Sequence, residues 1–145
     1  MVAGVVSWDI VPAIVAGLII GVYEITLIHR DVQVASHRFG HGVHAIFFAI
    51  IACFFTFNVP VFFQLVPAIK AWPILGSEIG VRILIGLIAA VKIHGVSAAL
   101  KTSGFSSQGM QETWIHSLIV GFMTAAAPYV WPFVAPMLPK WAGGK

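Results

Sequence analysis

Three histidines crowd the stretch SHRFGHGVHA, as His37, His41 and His44. At intervals of four and three they share one face wherever the chain is helical. Imidazole is a ligand for zinc, copper, iron and haem, so the trio predicts a candidate transition-metal or haem shell. Gly40 and Gly42 speak against an unbroken helix through the group, and the HxxxHxxH pattern has no acidic partner and fits no dedicated motif. The plainer expectation is an interfacial loop whose imidazoles meet water and lipid headgroups.

A second set lies deeper. Glu24, His44, Lys92, His94 and His116 belong to four different apolar segments, each within about two turns of the same predicted boundary. If those segments close into a bundle, the set is able to hold a metal, with His44, His94 and His116 as ligands, or to relay protons. The competing expectation is mutual satisfaction, with Glu24 paired to Lys92.

The third set is a stripe along Ile74–Leu100, an apolar stretch that carries Glu78, Arg82, Lys92 and His94. At roughly 100° per residue, Arg82 falls about 40° to one side of Glu78 and Lys92 about 40° to the other. His94 points nearly the opposite way. Charges at membrane depth cost several kcal/mol unless paired or watered, so the stripe should face protein or a cavity. Glu78 and Arg82 stand at i,i+4 and predict an ion pair, one that holds the helix against Asn58 or Gln64. Together Glu24, Glu78, Arg82 and Lys92 are the candidate ion-pathway or buried polar residues. No GxSxG, P-loop, CxxC or dinucleotide fingerprint is present. The single Cys53 lies among apolar neighbours and reads as packing.

The elements that must position these groups follow from composition. The chain of 145 residues is 59% hydrophobic, and its charged fraction is 9% against about 25% in soluble domains. Mean hydropathy is +0.98. The expected class is therefore an all-α, polytopic integral membrane protein forming one domain. Spans are expected at 10–28, 43–66, 74–100 and 113–138. The first carries a Gly17–Gly21 GxxxG for close helix approach. The second should kink at Pro60, with neighbours satisfying the carbonyl that proline frees. The last holds Pro128, Pro132 and Pro136 and is expected to continue as a kinked helix. Trp8 and the tail KWAGGK read as interface anchors, the tail ending in a flexible stub.

Four crossings would put all six histidines at one side and both termini at the other. The eight basic residues are scattered, with no run to track phosphates, so no nucleic-acid partner is expected. The expected function is that of a small integral membrane subunit of a larger assembly, multi-pass in the cell membrane. Its partners would be lipids and other transmembrane subunits or copies of itself, and it would have no catalytic activity of its own. Two other classes compete: a homo-oligomeric ion or proton channel lined by the third span, and a metal- or haem-binding redox component.

Overall fold

The protein's computed structural model describes residues 7–31, 35–102 and 114–144, with the side chains of 27–31, 35–42 and 96–102 outside that description. Among the described residues there are five α-helices and no strand: α1 (Ile10–Asp31), α2 (Ala35–Phe57), α3 (Val59–Leu65), α4 (Glu78–Thr102) and α5 (Trp114–Val134). One helix, Trp114–Met137, is clearly long and apolar enough to cross a membrane, at 24 residues including its 3₁₀ end. A bent pair, Val43–Phe57 with Val59–Leu65, has that length only if its halves, 60° apart, count together, and Ile10–Thr26 is apolar but shorter.

Three boundaries differ from expectation. Helix α2 runs unbroken through Gly40 and Gly42, because a helical glycine costs only about 1 kcal/mol relative to alanine and does not by itself end a helix. Helix α4 starts at Glu78 rather than Ile74. Ser77 caps it: its Oγ accepts the Gly80 amide at 3.0 Å, and its carbonyl receives Val81 N–H at 3.1 Å. Glu78 thus stands in the first turn, where a carboxylate is favoured by the helix dipole. The predicted second span is two helices, not one, and the break falls at Asn58.

Pro60 explains the break. In a continuous helix its amide would bond the Thr56 carbonyl, but proline has no N–H and its ring crowds that carbonyl. Asn58 stabilises the corner. Its Nδ2 donates to the Phe54 carbonyl at 2.8 Å, and its Oδ1 accepts the Asp9 amide at 2.8 Å, tying the start of α1 to the corner. Trp8 stacks flat on Phe54 (5.6 Å, 7°) and meets Phe62 edge-on (5.7 Å, 84°). Helix α5 continues past Pro128 and Pro132 and ends in a 3₁₀ turn, Ala135–Met137.

Packing rests on small residues. A Cβ on Gly17 would lie 2.5 Å from Ile50 Cα, and one on Gly21 2.7 Å from Ile46 Cα, so the GxxxG seats α1 on the backbone of α2. Gly86 of α4 and Gly121 of α5 do the same for each other: a Cβ on Gly86 would come 2.5 Å from the Gly121 carbonyl oxygen. Ala13, Ala49, Cys53, Ile93 and Val120 fill the space between the two helix pairs. The tail is not a stub. Gly143, at φ 89°, lies against Trp131 and Val11, and Ala142 is buried.

Gly17→Ala should therefore destabilise by about 1–3 kcal/mol, since backbone must move. A methyl group added at Gly95 would meet nothing within 4 Å, and Gly95→Ala should be neutral or gain up to about 1 kcal/mol. Denaturant titration of the two variants in detergent micelles checks the contrast.

Candidate functional site

The α4 stripe does face protein, and it is used at two depths. Near the start of α4, Arg82 is 7% exposed. Its Nε donates to the Thr56 carbonyl at 3.2 Å, the acceptor that Pro60 leaves without its helical donor. Nη1 donates to the Tyr129 hydroxyl at 2.8 Å, with the guanidinium 4.9 Å from that ring's centroid. Nη2 pairs with Glu78 at 3.0 Å, the expected i,i+4 pair, while the Glu78 side chain is 44% exposed. Arg82 thus reaches neither Asn58 nor Gln64. It joins α2 to α5 across α4.

Ten residues further along α4, about 15 Å at 1.5 Å per residue, lies the second polar layer. Lys92 Nζ sits 3.0 Å from His44 Nε2 and 3.5 Å from the centroid of Phe48, both on α2. An ammonium group has donors only, so Nζ donates and Nε2 accepts. Glu24 of α1 is 4% exposed, and its carboxylate attracts Lys92 electrostatically. Glu24, His44 and Lys92 therefore come together from three helices.

His94 finds its partner on α5. His94 stacks on Trp114 at 3.8 Å and 18°, bridging α4 and α5, with its Nδ1 buried and making no hydrogen bond among the described residues. His116 is buried at 6% exposure in the first turn of α5. The side chains of His37 and His41 lie outside the described residues. Among the described residues no group of three or more His, Cys, Asp or Glu side chains is arranged to hold a metal ion. At His44, the Nε2 lone pair that a metal would use is occupied by Lys92.

No family model, curated protein or solved structure matches this chain. The reading of the site therefore rests on its geometry. Between the two polar layers the interior is tightly filled, with Cys53 at 0%, Ala89 at 2% and Val120 at 1% exposure, and it also buries the hydroxyls of Ser117 and Thr124 on α5. Each layer fastens helices together: Arg82 holds α2, α4 and α5, and Lys92 holds α1, α2 and α4.

Four participants are not singled out by sequence reasoning: Thr56, Tyr129, Phe48 and Trp114. Thr56 carries a signal, because it lies four residues before Pro60. Tyr129 carries a weaker one, since a phenol in an apolar span needs a partner for its hydroxyl. Phe48 and Trp114 are aromatics among many, and only the fold selects them.

Removing either Glu24 or Lys92 costs the other a stabilising opposite charge. Glu24→Leu or Lys92→Leu should each cost about 1–3 kcal/mol, below the roughly 3–5 of a fully buried pair because Lys92 is only half-buried. The double variant should cost clearly less than the two singles added together. Unfolding free energies of all three in one detergent system provide the comparison.

Proposed function

We propose that the chain is a multi-pass integral membrane protein of four crossings: α1, the bent α2–α3 unit, α4 and α5. In this reading it is a small subunit of a larger assembly in the cell membrane, without catalytic activity of its own. One observation carries it: Arg82 and Lys92 of α4 are turned inward and partnered, while the outer face of the same helix is apolar. Ile83, Leu87, Ile88 and Val91 are 52%, 51%, 54% and 58% exposed. Such a surface is a liability in water and a requirement in lipid.

Tryptophan placement agrees. Trp8, Trp72 and Trp141 are exposed and, with Trp131, belong to the end of the molecule that holds the α2–α3 corner and the tail, beside Lys70 and Lys140. Trp114 stands at the opposite end, at the start of α5. Aromatic rings with lysines at both ends of an apolar belt are the pattern of membrane interfaces.

The direction of the stripe favours a subunit over a pore. Arg82 and Lys92 engage the chain's own helices rather than a lumen between copies. The tightly filled layer between Arg82 and Lys92 interrupts a polar path through a single copy. The GxxxG face is spent on α2, leaving the outer faces of α4 and α5 for lateral contact with lipids and other chains.

Cysteines placed at Ser106 and Gly143, one at a time, test the crossings. An impermeant thiol reagent should label them from opposite sides of sealed vesicles, and labelling of both from one side would remove the four-crossing reading. Native sizing of the solubilised material tests the assembly: several different chains together support the subunit, one repeated chain supports a homo-oligomer.

A further inference from the structure

We propose that the groove between α1 and α5 is a binding site for one acyl chain of an anionic membrane phospholipid, its headgroup held at Lys140. This rests on the membrane reading above and adds a ligand of stated chemistry to it.

The groove follows from how the small residues are spent. Gly17 and Gly21 of α1 are buried against α2, and Gly121 of α5 is buried against Gly86 of α4. Where α1 and α5 meet, neither has a glycine left for close approach. They are held apart over an apolar hollow of about 180 Å³. Ala16, Ala126 and Ala127 form part of its lining, together with the larger Ile20, Met123 and Phe122. Water gains no hydrogen bonds there, whereas a hydrocarbon chain gains contact with every wall.

The length fits one lipid leaflet. From Phe122 to Val134, both lining residues, the groove follows α5 for about 18 Å, against a half-bilayer hydrocarbon depth of about 15 Å. A transmembrane helix, some 10 Å across with its side chains, would not seat in a hollow of this volume.

The polar end is also present. Trp131 lines the groove, and the tail turn packs against its ring through Gly143. Gly143 N–H bonds the Lys140 carbonyl at 3.1 Å, which places Lys140 within one turn of the groove's end. Lys140 is exposed, and Trp141 beside it is 83% exposed. A cation and an indole at the mouth of an acyl groove suit a lipid phosphate whose headgroup adds no positive charge. One lysine near an anionic headgroup corresponds to about a fivefold preference.

The test uses the full chain reconstituted in vesicles of equimolar phosphatidylglycerol and phosphatidylcholine, then floated, solubilised and washed in detergent before bound lipid is quantified. The expected result is about one phosphatidylglycerol retained per chain, at about fivefold over phosphatidylcholine. Lys140→Gln should bring that ratio close to one. Ala126→Phe should abolish retention while helical circular dichroism stays unchanged; should it misfold, the Lys140→Gln ratio still decides. Equal retention of the two lipids by the unaltered chain overturns the site. So does Ala126→Phe that retains lipid as before, or that only converts a dimer to a monomer, which would put a second copy in the groove. A chain that fails to float overturns the membrane reading and this site together; one that floats without selective retention overturns the site alone.

Discussion

The hydrogen bond from Arg82 Nε to the Thr56 carbonyl, 3.2 Å long, is the contact on which the rest of the arrangement turns. Pro60 withdraws the amide that would have served that carbonyl, and Thr56 is itself fully buried. A bare carbonyl there would carry a desolvation cost of about 1–3 kcal/mol. Arg82 removes that cost, and a buried guanidinium in turn requires acceptors and a counter-charge. Tyr129 and Glu78 supply them. The bend of α2–α3, the approach of α4 and the position of α5 are thereby mutually dependent.

The same logic repeats in milder form at the other end, where Lys92 is held by His44, Phe48 and Glu24. The two polar fastenings are separated by a tightly filled layer of small residues. Glycine spacing completes the design: each of two helix pairs closes on backbone through its own glycines, and the pairs then meet through alanines and Cys53. What remains outward is apolar side chain, the surface a lipid environment accepts. The incompletely closed seam between α1 and α5 is a by-product of the same pairing.

Much of this is legible in the residues. The i,i+4 spacing of Glu78 and Arg82, the inward stripe and the GxxxG are readable because each depends on helical periodicity alone. Pro60 announces a freed carbonyl four residues earlier, and the donor that serves it is already marked as a buried charge. Their union is not legible, because it depends on α4 lying against α2 in one register. The partners of the histidines are not legible either. Spacing brings His44, His94 and His116 to similar depth, but depth is one coordinate of three, and the rotation of each helix sends His44 to Lys92 and His94 to Trp114. The start of α4 is set by a short-range signal, Ser77 as an N-cap, which the apolar run Ile74–Leu75 before it obscures.

The central claim is that Arg82 stands in for the amide that Pro60 lacks. A double-mutant cycle between the two positions measures it directly, by unfolding in one detergent system. Arg82→Leu in the natural chain should cost about 2–4 kcal/mol, the loss of charged hydrogen bonds plus an orphaned carbonyl. Pro60→Ala returns an N–H to the Thr56 carbonyl, so in that background Arg82→Leu should cost less by about 1 kcal/mol or more. Equal costs in the two backgrounds would contradict the account.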